Sequence, residues 1–139
     1  MVQLLDGKAT ALQIKEEIAN EVRQLTAKGL RPPHLAAVIV GNDGASQTYV
    51  ANKEKACARL GIHSETLRMP AETTQEELEA AIIAANENPT VHGVLVQLPL
   101  PRHLDSDKAL DLIRPEKDVD GFHDINAGRL SRGLDCVVA

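Results

Sequence analysis

Ala11, Ile14, Ile18, Val22 and Leu25 recur at three- and four-residue steps, a period that predicts an amphipathic helix stopped at Gly29. The pattern then changes. LAAVIVG, Leu35 to Gly41, is a continuous apolar run ending in glycine, as expected of a strand buried on both faces. After the loop GNDGAS, a second helix is predicted from about Ala45 to Leu60, closing at Gly61. From Ile62 to Met69, Glu65, Leu67 and Met69 alternate against Thr66 and Arg68, which predicts a less apolar strand ended by Pro70. Thr74 and Glu77 form a capping-box pattern that opens a third helix carrying Leu78, Ile82 and Ala85. Asn88-Pro89 stops it. Within HGVLVQLPLP, Val94 to Leu98 is a second buried apolar run, broken by Pro99 and Pro101. A short helix is predicted from about Ser106 to Ile113, closed by Pro115. The remainder, from Glu116, reads as a loop rich in Asp and Gly.

Apolar strands alternating with amphipathic helices predict βαβ units. The fold class is therefore α/β, three layers, with a mostly parallel sheet and helices on both faces. Ligands of such sheets sit beyond the carboxyl ends of the strands. The GNDGAS loop follows one strand and Gln97 ends another. At 139 residues the chain suits one domain. Aromatic residues make up 1% of it, so the core must be built from Leu, Ile, Val and Ala, and little ring surface is left to stack nucleic-acid bases. The net charge of −5 argues against nucleic acid or an anionic membrane as partner. Cys57 and Cys136 lie far apart and form no CxxC pair, which points to a reducing, cytoplasmic setting. MVQLLDGKAT has no basic stretch leading into an apolar run, so no signal peptide is expected, and no apolar segment has bilayer length. The closing CVVA is apolar with no helix stop or polar tail, and the chain is expected to have been cut shortly before a further element.

Tyr49, the single tyrosine, stands three residues after Ser46 and four before Lys53. On a helix these three share a face with Ala56 and Leu60. The apolar half of that stripe is expected against the sheet, and the polar half then points inward at the strand ends. A phenol, an ammonium and a hydroxyl together can orient a substrate and move protons. The plainer alternative is that Lys53 reaches out to solvent and Tyr49 only edges the core. Gln97 tilts the balance, because an amide inside VLVQLPLP needs a hydrogen-bond partner, and Lys53 is a candidate if the two strands are neighbours. A lysine held among apolar walls can exchange protons at working pH. In Lys117-Asp118-Val119-Asp120-Gly121, Asp118 is expected as a turn or cap residue. Asp120 is a candidate ligand-facing carboxylate, suited to the two parallel donors of an amidine-like edge. A solvated Asp-Gly turn is its commoner reading.

Other chemistry is not legible. His34, His63, His92, His103 and His123 have no ligand spacing, so no metal is assigned. Gly41 to Gly44 is too short for a P-loop and no GxGxxG occurs, so no cofactor-binding residue is assigned. Tyr49 and Lys53 match the YxxxK pair of short-chain dehydrogenases, but the first predicted helix occupies the region where those enzymes need a glycine-rich cofactor loop.

VGNDGASQTYVANKEKACARLGI, GVLVQLPLP and KDVDGFHDINAGRL occur in that order, and together they resemble the bifunctional methylenetetrahydrofolate dehydrogenase/cyclohydrolase family over nearly the whole chain. The resemblance implies that residues 1–139 are a folate-binding catalytic domain, with an NAD(P)-binding Rossmann domain lying outside this chain. Family members oxidise 5,10-methylenetetrahydrofolate with NADP, or NAD in some, and hydrolyse the methenyl product to 10-formyltetrahydrofolate. It further implies a catalytic set of Lys53, Tyr49, Gln97 and Asp120. Tyr49 would stack on or orient the folate, Lys53 would be the key group positioned by Gln97, Asp120 would hold the pterin through its amino edge, and Ser46 would be a supporting polar neighbour. NADP would belong to the other domain, with no cofactor expected for this chain alone. The implied partners are tetrahydrofolate derivatives. The whole enzyme would be a homodimer and this chain alone a monomer. Asp124, where many relatives have proline, departs from the pattern. A folate-binding domain without chemistry, and a generic α/β domain in which the pair is incidental, are the competing readings.

Overall fold

The computed structural model describes residues 6–139; the first residues of the stretch read for a signal peptide lie outside them. The elements follow in the order α1 (Gly7–Ala27), β1 (His34–Val40), α2 (Gly44–Leu60), β2 (His63–Met69), α3 (Gln75–Glu87), β3 (Gly93–Val96), α4 (Ser106–Asp111), a 3-10 turn (Pro115–Lys117) and α5 (Asp124–Ser131). The strands form one parallel sheet in the order β2-β1-β3. Its register runs from His34 opposite His63 to Val40 opposite Met69 on one side of β1, and from Leu35 opposite Gly93 to Val38 opposite Val96 on the other.

Alternation along β1 separates two faces. Ala36, Val38 and Val40 pack with Leu78 and Ile82 of α3 and with Val94, Val96, Ala109 and Ile113. Leu78, Ile82 and Ala109 are fully buried, so this face holds the main core. Leu35 points the other way, into an apolar hollow that it shares with Cys57 of α2, Gly93 and Val119. Helices therefore cover both faces, as the alternating pattern predicts. The third helix opens on the expected capping box: the Thr74 hydroxyl accepts from the Glu77 amide, and the Glu77 carboxylate accepts from the Thr74 amide. Gly93 is required for packing, since a Cβ there would lie 2.4 Å from the Val119 side chain.

Three expectations need correction. The period in α1 does form a helix, but Val22 alone is buried; Ile14, Ile18 and Leu25 stay exposed among the described residues. The last predicted helix is shorter than expected: α4 ends at Asp111, and Pro115 starts a 3-10 turn instead of closing a helix. The segment read as loop contains α5. That helix is held by polar groups, which apolar periodicity misses: its cap His123 accepts from the Ile125 amide, and Asn126 is buried. Ahead of it, Asp118 forms a parallel bridge with Val94 that extends the sheet beyond β3.

Candidate functional site

The site is built where β1 and β3 end. Gly41 follows β1 with φ +84°, a left-handed turn that glycine adopts freely, and its amide donates to the Met69 carbonyl (2.9 Å). Two residues on, Asp43 caps α2. Its carboxylate accepts from both the amide and the hydroxyl of Ser46, each at 2.8 Å. Those two bonds, the amide first, hold the Asp43 carboxyl below its ordinary range. Ser46 is buried, with its hydroxyl committed to this cap. Asp43 was legible as a helix cap three residues before Ser46, and sequence reasoning passed over it as loop.

The face that α2 turns to the sheet is Ser46, Val50, Lys53 and Cys57, with the first, second and fourth buried and Lys53 half-buried. This differs from the predicted stripe. Tyr49 precedes Val50 by one residue, about 100° around the helix, and is 64% exposed. The expectation that the polar half points inward therefore holds for Ser46 and Lys53 and fails for Tyr49.

Gln97 is fixed from three directions. Its backbone amide donates to the Val38 carbonyl at 2.8 Å, which continues the β1–β3 pairing. Its side-chain Nε2 donates to the Leu98 carbonyl at 2.9 Å. That leaves Oε1 as the acceptor facing α2, where Lys53 Nζ donates to it at 3.3 Å. Asp120, half-buried, lies within reach of the Lys53 charge. Burial pushes its carboxyl above the ordinary range, Lys53 pulls it down, and the Asp118 charge adds to the rise. Lys53 and Gln97 thus come together from α2 and the end of β3, and the Lys53 charge acts on Asp120 in the loop before α5. Asp118 is buried as a cap-like acceptor for the Phe122 and His123 amides and for Asn126.

No cluster of metal-ligating side chains occurs among the described residues. The turn after β1, where a parallel sheet would seat a pyrophosphate, already holds the Asp43 carboxylate on the Ser46 amide at the start of α2. A phosphate there would face a like charge. No described helix is long and apolar enough to cross a membrane.

The family described as tetrahydrofolate dehydrogenase/cyclohydrolase, catalytic domain, matches residues 5–120. Among curated relatives, the bifunctional protein FolD of Porphyromonas gingivalis is 53% identical over 132 residues, which is 95% of this chain and 45% of that protein. FolD of Nitratidesulfovibrio vulgaris is 55% identical over 133 residues, 96% of this chain and 46% of the relative. The crystal structure of FolD from Campylobacter jejuni, a methylenetetrahydrofolate dehydrogenase/cyclohydrolase, superposes with TM-score 0.93 at 47% identity, covering 98% of this chain and 48% of that one. The Trypanosoma brucei FolD, determined with NADP cofactor and an inhibitor, gives TM-score 0.92 at 39% identity over 99% of this chain and 47% of that one. The chain spans about half the length of the curated relatives it matches.

Proposed function

Because the chain belongs to the tetrahydrofolate dehydrogenase/cyclohydrolase family, we propose that residues 1–139 form its folate-binding catalytic domain. This domain serves an enzyme that oxidises 5,10-methylenetetrahydrofolate and hydrolyses the methenyl product to 10-formyltetrahydrofolate. The observation that carries this reading is the Lys53–Gln97 hydrogen bond beside the half-buried Asp120. Gln97 holds the ammonium at the strand ends, where a parallel sheet presents its ligand. Asp120 offers two oxygens to the amino edge of a pterin, and partial burial strengthens such paired hydrogen bonds. Tyr49, exposed at the rim, gives the ring a surface to lie on. Ser46 serves through the cap it makes with Asp43, which fixes the start of α2 and so the placing of Tyr49 and Lys53.

The methenyl intermediate is a cation that water attacks at the one-carbon bridge. A proton must leave the attacking water and another must reach the departing nitrogen. Lys53 is the group placed to relay them. NADP supplies hydride acceptance when bound, but the turn after β1, which already holds the Asp43 carboxylate, does not fit it. We place the nucleotide on residues outside this chain. The assignment puts the protein in cytoplasmic one-carbon metabolism, where formyl-folate supplies purine biosynthesis, with the whole enzyme a homodimer and this chain alone a monomer.

The test measures tetrahydrofolate binding and methenyltetrahydrofolate hydrolysis by the chain, with Lys53→Met beside it. Binding with hydrolysis that the variant loses supports a catalytic domain. Binding with equal rates in both proteins leaves a folate-binding domain without chemistry. No binding sinks the folate reading.

A further inference from the structure

We propose that Asp118 is the positioning residue of the folate site: its buried carboxylate folds residues 118–123 into a closed loop that carries Asp120 at its apex. The inference rests on the folate reading above for its purpose, but its geometry stands alone. Asp118 is 2% exposed. A carboxylate buried that deeply is costly unless donors surround it. Its Oδ1 accepts from the Phe122 amide at 3.3 Å. Its Oδ2 accepts from the His123 amide at 2.9 Å and from Asn126 Nδ2 at 3.0 Å. The first two bonds reach forward over Asp120, and the third ties the loop to α5.

The loop is anchored on its other side as well. Lys117 Nζ donates to the carbonyls of Asn86 (2.7 Å) and Asn88 (3.0 Å), at the carboxyl end of α3. The Gly121 amide donates to the Asp118 carbonyl at 3.2 Å, closing the turn between the two acids. Asn126 adds a bond to the Pro115 carbonyl at 2.8 Å, so one amide joins the 3-10 turn to the buried carboxylate. The charged groups that act on Asp120 are Lys53 from α2 and Asp118 from its own loop. Facing Asp118 from β3 is Val94, and from α5 the neutral Asn126. The His123 ring accepts from the Ile125 amide instead. Asp118 therefore acts twice on Asp120: through the backbone it fixes, and through a like charge that favours the protonated carboxyl.

Asp118→Asn keeps the shape, removes the charge and opposes an NH₂ to the donors on one side. The measurements are carboxyl NMR titration of Asp120 in the ligand-free chain, tetrahydrofolate binding, and far-ultraviolet circular dichroism. The expected result is a folded variant whose Asp120 midpoint falls toward the ordinary carboxylate range, with binding weakened about tenfold or more. A role confined to overall stability, with Asp120 not positioned by Asp118, would not move that titration. An Asp120 midpoint unchanged in Asp118→Asn overturns the proposal. If Asp118→Asn does not fold, Asn126→Ala decides by loosening the loop with the charge kept: a lowered Asp120 midpoint supports the proposal, and an unchanged one overturns it. If the wild-type chain binds no tetrahydrofolate, the folate reading fails, and the titration still decides the role of Asp118.

Discussion

At the carboxyl end of the sheet Lys53 donates to Gln97, the Lys53 charge acts on Asp120, and all three remain half open to solvent. At the amino end, His34, His63, His92 and Thr90 also meet from separate segments, but His34 is 9% exposed. The His34 amide donates to His92 Nδ1 at 3.0 Å, the His92 amide returns a bond to the His34 carbonyl at 2.9 Å, and the Thr90 hydroxyl lies 3.3 Å from His34 Nδ1. The His63 ring sits 4.3 Å from that of His34, centre to centre. The same kinds of group are used in opposite ways. An imidazole can be buried because it can be neutral; a carboxylate and an ammonium stay where water or a ligand can share their charge. At the amino end His34 is buried beside the exposed His63 and His92, whereas the groups at the carboxyl end all stay half open.

The largest way to break this contrast is to remove the floor that both ends share. Ile82 is fully buried in one cluster with Val38, Val94 and Val96. Ile82→Ala is expected to cost about 2–5 kcal/mol in urea unfolding. Both ends should fail together, with the His34 and Asp120 resonances reaching their unfolded positions at one urea concentration. Separate midpoints would mean that the ends are independent units.

The amino end should carry its own pH signature. Burial first, then the His63 charge, hold the His34 imidazole below its ordinary value of 6.5, with Glu65 pulling the other way. The unfolded chain therefore takes up this proton before the folded one. Stability present above about pH 6.5 is lost as pH falls toward the lowered folded value. We expect a melting temperature several degrees lower near pH 5.5 than near pH 7.5, and a flatter profile for His34→Gln. Parallel profiles for the two proteins would show that His34 is not the source.

How much of this contrast the residues announce differs by region. The parallel sheet was legible because LAAVIVG and GVLV are continuous apolar runs, with a helix, a less apolar strand and a second helix opening on a capping box between them. Lys53 and Gln97 were legible because an amide inside an apolar run demands a partner, and Lys53 shared the helix face pointing that way. Tyr49 was misplaced because the buried face of α2 is set by Val50 and Cys57, one residue along from the stripe that Ala56 and Leu60 seemed to define. The α5 helix and the buried Asn126 left no apolar period to read. The histidine cluster was invisible for a further reason: His34, His63 and His92 meet only through strand register, which one sequence does not display.

A smaller effect is expected at the carboxyl end. Burial and the neighbouring Asp118 raise the Asp120 carboxyl above its ordinary value, so near neutral pH the folded state holds this charge at a cost. That cost is relieved as pH falls through the raised folded value toward the unfolded one. Asp120→Asn should therefore melt slightly higher than wild type near pH 7, with the gap closing in acid, while tetrahydrofolate binding is lost. Gain of stability with loss of binding is the mark of a site. A variant that melts lower would place Asp120 among the structural groups.

The smallest expected effect tests whether the buried His34 is screened from its surroundings. Glu65 Oε2 lies 3.5 Å from His34 Nε2, and its side chain is 65% exposed. Nε2 itself is buried with no hydrogen-bond partner among the described residues. An exposed carboxylate of this kind is worth less than about 1 kcal/mol and weakens with salt. Glu65→Gln removes the one charge that favours His34 protonation, so the His34 midpoint should fall further at low ionic strength. At high salt the two proteins should titrate alike. A midpoint that does not move at low salt would mean that Glu65 has no hold on His34, and that the buried imidazole is screened even from the charge at its rim.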